Sequence, residues 1–331
     1  MRQKVWLYMG LLFFCTLFSC RGKGFFMPTS SGRPFEMLVV GDDMYWNSSS
    51  QQVLSKVINS DLLGLPQSEG SFKVMHASWN DFDHTLKLVR SIIIVEINQK
   101  YRTAGMACQK DVYASPQRIL KIQAPDRESF NNFVSRNAQR IMNIFTVFEM
   151  NCQIAVLRHT HNEQVSAKVD SLFGCNILVP SELHFIKTGT NFIWASTNSI
   201  NANQNFVMYS IPYQKKESMT LDKFMAVRDS FMRANIPGCI RNDYMTTDTA
   251  GLVMKKILFA NHYLYEVRGL WRMKNDFMGG PFVSHIELDA SRQQIYVTEI
   301  FLYAPDRAKS VFIHRLEASL FTLQKGTVDA V

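Results

Sequence analysis

Apolar positions along the chain alternate between unbroken runs and a three-to-four spacing, which predicts strands interleaved with helices. Phe35–Val40 (FEMLVV) is a short apolar run ending at Gly41-Asp42-Asp43, a strand followed by a loop. Asn47 and the serines after it can cap a helix that carries Val53, Leu54, Val57 and Ile58 on one face. Phe72–Met75 predicts a strand and Asp81–Val89 a short helix. Ile92–Ile97 (IIIVEI) is almost continuously β-branched, as a strand covered on both faces requires. The strand Arg118–Ile122 closes at Ala124-Pro125-Asp126-Arg127, where Asp126 is placed to cap the next helix. Phe130, Phe133, Val134, Ile141, Ile144, Phe145 and Phe148 then share one helical face.

Cys152–Leu157 reads as a strand and Asn162–Phe173 as a helix ending at Gly174. Leu183–Ile186, Phe192–Ala195 and Phe206–Ile211 are further strands. Leu221, Phe224, Met225, Phe231 and Met232 form a helix stripe that Asn235-Ile236-Pro237-Gly238 stops. Leu252–Tyr303 turns β-rich, with turn residues at Ala260-Asn261 and Ala290-Ser291, predicting an antiparallel meander. Ala-Pro-Asp-Arg returns at Ala304–Arg307, 180 residues after its first copy, again between a strand and an amphipathic helix. The fold expected is α/β (α+β): two related sandwich modules, 35–150 and 151–331, each a mixed sheet with helices against it. The repeat suggests one module used twice.

Residues 1–19 read as a leader. Arg2 and Lys4 precede an apolar stretch from Val5 to Phe18, about 14 residues long, the length of a signal-peptide core and short for a membrane span. Leu17-Phe18-Ser19-Cys20 resembles a bacterial lipobox, although Phe18 departs from the small residue usual there. Cleavage before Cys20 and acylation of it would anchor the chain to a leaflet without spanning it, the alternative being an ordinary secreted protein or an uncleaved anchor. Residues 20–34, rich in Gly, Ser and Pro, are expected to be a tether between lipid and fold. With no acidic run after Cys20, the expected address is the outer membrane, facing the periplasm.

Composition narrows the class. The 331 residues are 47% hydrophobic and 19% charged, which excludes a disordered chain. A formal charge of +8 is modest and scattered, and gives no basis for a nucleic-acid partner. Beyond the leader, no apolar run approaches the roughly 20 residues of a membrane-spanning helix. Four cysteines remain after Cys15 and Cys20: Cys108, Cys152, Cys175 and Cys239. Their spacing fits no zinc site, three disulfide pairings stay open, and buried free thiols are the expected state.

The most distinctive stretch is Arg268–His285 (RGLWRMKNDFMGGPFVSH). Arg268, Trp271, Arg272, Asn275, Asp276 and His285 stand around a Gly279-Gly280 turn, a set suited to an anion or a sugar ring. A hairpin with surface ion pairs is the alternative. Arg228 falls in the apolar stripe of its helix, so it must pair with a carboxylate, snorkel outward or face a polar cavity. Asp42 and Asp43 sit at the end of the first strand, where open α/β sheets place ligands or simply turn. His159, His161 and Glu163 would align for a metal only on a strand, and Asn162 instead starts a helix. Ser284 and His285 point to opposite faces of a strand, so they are no nucleophile–base pair. No nucleotide-binding, zinc-protease or nucleophile-elbow motif is present, and no cofactor is implied.

That stretch, together with Tyr244–Thr247, Arg228–Ser230, Ala234–Gly238, Gly64–Gln67 and both Ala-Pro-Asp-Arg segments, resembles the domain-of-unknown-function 4837 family. The resemblance is expected over residues 33–325 and implies a lipobox-bearing Gram-negative envelope protein with no assigned activity. The leading expectation is a non-catalytic binding or assembly module for an envelope protein or glycan. The other is an envelope hydrolase acting on glycan or lipid, with its site in Arg268–His285 and Asp276 as acid or base.

Overall fold

The computed structural model describes residues 27–43, 49–213, 219–238, 243–259 and 262–326. The leader, Cys20, Asn47 and Cys239 lie outside them, so the readings placed on those residues stand as expectations. None of the described helices is long and apolar enough to cross a membrane.

The first unit is built on β1 (Glu36–Val40), α1 (Ser49–Ile58), β2 (Lys73–Ala77), β3 (Ser91–Ile97), β4 (Gly105–Lys110), β5 (Arg118–Ala124), α2 (Arg127–Arg136) and α3 (Ala138–Thr160). Its sheet runs β2-β1-β3-β5-β4, parallel except for the antiparallel edge strand β4. Both faces of β3 are covered, which explains its continuous apolar run: Ile93 meets the helices α1, α2 and α3, and Ile92 meets the 77–89 segment. That segment forms only one 3-10 turn, Leu86–Leu88, where a helix over Asp81–Val89 was expected. Asp126 does cap α2, its carboxylate accepting the Ser129 N–H at 2.8 Å.

The second unit contains α4 (Glu163–Phe173), β6 (Cys175–Asn176), β7 (Phe185–Gly189), β8 (Phe192–Ser196), β9 (Asn203–Pro212), α5 (Leu221–Asn235), β10 (Met245–Phe259), β11 (His262–Met273), β12 (Gly279–Asp289), β13 (Gln294–Tyr303), α6 (Ser310–Leu320) and β14 (Gln324–Lys325). Its seven-stranded sheet, β10-β11-β12-β13-β9-β8-β7, is antiparallel throughout, not mixed. Helices α4 and α6 cover one face, and α5 covers the other.

Two α/β modules are present, as expected, but their sheets differ in strand number and direction. The shared strand–turn–helix is local. At the second Ala-Pro-Asp-Arg, Asp306 takes φ +55 and α6 starts only at Ser310. There Glu69 of the first unit accepts the Lys309 and Ser310 N–H groups at 2.8–2.9 Å, taking the capping role that Asp126 fills in the first copy.

Three boundaries shift. The expected strand Cys152–Leu157 is the second half of α3, whose buried Met150, Gln153, Ile154 and Leu157 recur every three or four residues. The division at residue 150 therefore falls inside a helix, and the units meet at His161–Asn162, where the Asn162 side chain caps α4. The end of the expected tether is also folded: Ser30 N–H donates to Ser115 O and Ser31 N–H to Leu88 O, so Pro28–Ser31 run along the first unit. Low-complexity composition does not stop an extended backbone from pairing when donors and acceptors face it.

The units are packed together through α6. Ala318 joins the core of the first unit, and the His314 ring stacks on Phe35 at 3.7 Å. On the other side, Gly64 (φ +81) lies so close that a Cβ would stand 3.0 Å from Arg268 Cβ and 3.1 Å from Gly269 N.

Candidate functional site

Strand alternation scatters the distinctive stretch across both faces of the second sheet. Residues Arg272 and Gly279 are paired, so 274–278 is a hairpin loop, as the alternative reading had it. Trp271 is buried on the α5 face, its Nε1 donating to Leu302 O at 3.2 Å. Arg272 and Asn275 are exposed at the tip, with Phe277 wholly in solvent. Asp276 there accepts the Phe277 N–H at 2.6 Å, and buried Asp243 accepts the Asn275 N–H at 3.2 Å. Gly279 and Gly280 are not a turn but open β12, and Gly280 has a steric cause: a Cβ there would sit 2.0 Å from Leu302 O. Gly280→Ala is expected to cost about 1–3 kcal/mol. A urea midpoint equal to wild type would show that the strand yields at no cost.

Arg228 lies fully buried on the α5 face and takes the carboxylate-paired option. Its Nε and Nη2 bond Glu299 at 2.7–3.1 Å, and Nη1 donates to Thr247 Oγ1 at 3.0 Å. Ser284 Oγ donates to the same Glu299 at 2.7 Å, and Asp229 accepts from Thr246, Thr247 N and Thr247 Oγ1 at 2.6–2.9 Å. The guanidinium also stands 4.1 Å from the Phe282 ring centroid. Burial works against the charge, but the Glu299 charge and hydrogen bonds outweigh it and raise the Arg228 pKa.

Arg268 and His285 come together on the opposite face, beneath α6, with two carboxylates that the sequence reading missed. Glu266 and His285 are cross-strand partners, and Arg268 lies two residues on. Arg268 Nε donates to Glu266 at 2.8 Å, while Nη2 reaches both Glu266, at 3.1 Å, and Glu317 of α6. The signal for Glu317 was available: it stands beside Leu316 and Leu320 in a helix face that is buried. Burial pushes the Glu317 carboxyl up, with the Glu266 charge adding to it. Burial would raise Glu266 as well, but His285 and Arg268 hold it below the usual carboxylate range. One ligand atom each of Glu266, His285 and Glu317 lies within 4.8 Å of the other two, a spacing a metal ion could bridge. The Arg268 guanidinium already bonds both carboxylates and supplies the positive charge there.

The hairpin tip and this cluster are therefore separate places. From Gly279 to His285 is six residues of strand, roughly 20 Å at the usual rise. His159 lies in the last turn of α3, His161 follows its final residue Thr160 and Glu163 opens α4, so the alternation a metal would need is broken. Asp42 lines a depression of about 350 Å³ with Trp79 and Asn98 at the C-terminal edge of the parallel strands. Cys108, Cys152 and Cys175 are free thiols; Cys175 is buried as expected, but Cys108 is exposed on the edge strand β4. Burial and the nearby Glu149 push the Cys152 thiol up to about 11.

The open, chemically distinctive surface lies on the first unit. Two adjoining depressions of about 700 and 630 Å³ share Arg118, Ile144 and Val147 and follow α3 past the edge strand β4. Arg136 and Arg140, near the junction of α2 and α3, line one end, and Lys110 and Arg90 line the other. Neither depression has a carboxylate among its lining residues. Its floor is the outer stripe of α3, with Val147 59% and Val156 54% exposed. Sequence reading missed this surface because three separated segments build it, although Arg136 and Arg140 stand four apart.

Residues 162–322 match the family model described as a domain of unknown function, DUF4837, and residues 30–158 match a second one, DUF8532. The DUF4837 match thus spans the second unit of the 33–325 expected, and the DUF8532 match spans the first, in line with the differing sheets. No curated protein matches the chain. Among solved structures, the human StarD13 (DLC2) lipid transfer and protein localization domain is similar at 10% identity over 48% of this chain and 97% of its own. Its TM-score of 0.16 is too low to bear on fold or function.

Proposed function

We propose that this chain, whose residues 162–322 match the DUF4837 model of unknown function, is a lipid-anchored, periplasm-facing envelope protein that works by binding. One observation carries the binding reading: the cation-lined groove of the first unit is open, with no carboxylate among its lining residues. The groups once considered for chemistry are differently placed. Arg228, Arg268, Ser284 and the buried glutamates hold one another, and His285 is enclosed with them. Asp276 is at the hairpin tip, far along the strand from His285. A hydrolase using Asp276 with that histidine therefore has no support from the geometry.

The anchor reading rests on the Leu17–Cys20 pattern behind a short apolar core. In cells fed radiolabelled palmitate, the full chain is expected to take up label and to fractionate with the outer membrane. Cys20→Ala is expected to take up none. An unlabelled wild-type chain overturns the anchor.

A further inference from the structure

We propose that the groove along α3 docks onto the head groups of acidic phospholipids in the bilayer surface. The proposal deepens the binding reading above by naming the ligand of that same groove. Arg136 and Arg140 are exposed at its rim, and no ion pair occupies either of them among the described residues. The Arg118 guanidinium lies 5.2 Å from the Phe148 ring centroid and within 3.9 Å of Cys108 Sγ, with no carboxylate bonded to it among the described residues. Lys110 stands 3.6 Å from Asp111, a contact exposed to solvent on the lysine side. Arg90 is spoken for, since it pairs with buried Glu149 at 3.1 Å, and it is left out of the proposed site.

Forked guanidinium groups suit phosphate oxygens, which they can bond in pairs. A groove built for a fully hydrated anion would need no apolar floor. Here Val147, Ala155 and Val156 are exposed directly beside the cations. A phosphate bound to glycerol and acyl chain presents both characters at once, which is the pairing that interfacial membrane-binding surfaces show.

The chain end favours a bilayer over a free acidic peptide. Thr29 and Ser30 line the groove, and Cys20 precedes Thr29 by nine residues. Nine residues reach at most about 30 Å when fully extended. An acyl chain on Cys20 would therefore keep this groove within that distance of a leaflet. Such confinement raises the local concentration of head groups.

The test uses the unacylated chain from Arg21 onward, which keeps every described residue, sedimented with two kinds of vesicle. One is phosphatidylcholine alone; the other has a quarter of its lipid replaced by phosphatidylglycerol. The chain is expected to pellet with the acidic vesicles and stay in solution with the neutral ones, and added salt is expected to release it. At about fivefold in partition per cation, Arg136→Gln with Arg140→Gln is expected to weaken binding about 25-fold. Lys255→Gln with Lys256→Gln removes the same charge from the second unit and is expected to leave binding as it was. Circular dichroism checks that both double variants are folded.

Failure to pellet with acidic vesicles overturns the proposal. So does pelleting that ignores lipid charge, or equal losses in the two double variants. Salt-sensitive binding of a poly-glutamate peptide without vesicle binding would assign the groove to an acidic protein segment instead. Because the assay contains no acyl chain, its failure is separable from that of the anchor. Palmitate labelling with no vesicle binding overturns only the lipid surface, and vesicle binding with no labelling overturns only the anchor.

Discussion

Replacing Arg228 with methionine is expected to lower the unfolding free energy by about 3–5 kcal/mol. Methionine is comparable in length and can lie against Phe282, so the effect isolates the charge and its hydrogen bonds. Glu299 would be left as a fully buried carboxylate with only Ser284 donating to it. Thr247 would lose the donor that reaches its hydroxyl. An uncompensated buried charge is far more costly than the loss of one surface pair. Urea unfolding followed through the fluorescence of Trp194 and Trp271, both packed in the core on the α5 face, reads the change locally. The double change Arg228→Met with Glu299→Leu removes both charges and is expected to recover most of the loss. A single variant within 1 kcal/mol of wild type would falsify the view that this pair organises the α5 face.

Arg228 also marks what was legible in the sequence. A guanidinium in an otherwise apolar stripe restricts its own environment so strongly that a carboxylate partner could be expected from α5 alone. Its partner could not, because Glu299 lies 71 residues away and reaches it only through strand pairing. The first sheet was readable for a similar reason: Ile92–Ile97 is too continuously β-branched for a one-sided strand. Edge strand β4 was not readable, since Gly105–Lys110 has no buried position, is exposed from Ala107 on and shows no apolar alternation. The second half of α3 was misread because CQIAVL is apolar enough for either state, and only its continuation from Ala138 resolves it.

The candidate site failed as a contiguous stretch for a geometric reason. Residues 268–273 and 279–285 are strand, so neighbours in sequence point to opposite sides of the sheet. Trp271 ended up with the α5 core, while Arg268 and His285 went beneath α6 and Arg272 to the hairpin tip. What replaced that site was assembled by tertiary structure. The groove needs α3, the β4–β5 edge and the residues around Thr29 at once, and no local pattern encodes their meeting.

Acidification is expected to loosen the contact between the two units through His314. This ring is buried and stacked on Phe35, and its Nε2–H donates to Ser71 O at 3.2 Å. The neutral tautomer fits that geometry, leaving Nδ1 without a proton. Burial, and then the Arg268 charge, push the His314 pKa down to about 3. In the unfolded chain the same ring titrates near 6.5. Between those two values the unfolded state binds one proton more, so the stability due to neutral His314 is lost as pH falls from 6.5. From pH 6.5 to 5 the loss amounts to about 2 kcal/mol, at 1.36 kcal/mol per unit.

The groups facing α6 from its neighbours sharpen the test. Glu317, raised by burial, keeps its proton in the folded chain above the usual carboxylate value, so just above pH 4.5 it favours the folded state as pH falls. Glu266 is held low by His285 and Arg268, so the stability it provides is lost only as pH drops below 4.5. Of the groups facing α6, His314 therefore drives the change below pH 6.5 until Glu317 begins to oppose it, while His76 of β2, also held low by burial, adds a loss of the same sign that His314→Phe leaves in place. His314→Phe keeps a ring on Phe35 and is expected to flatten the stability–pH curve above 5, at the cost of the hydrogen bond to Ser71. Glu317→Gln is expected to steepen it toward its acid end by removing the opposing proton. Urea midpoints at half-unit steps from pH 7 to 5 separate these outcomes. A wild-type curve that stays level, or a His314→Phe curve that runs parallel to it, would mean that the ring does not hold the units together through its neutral form.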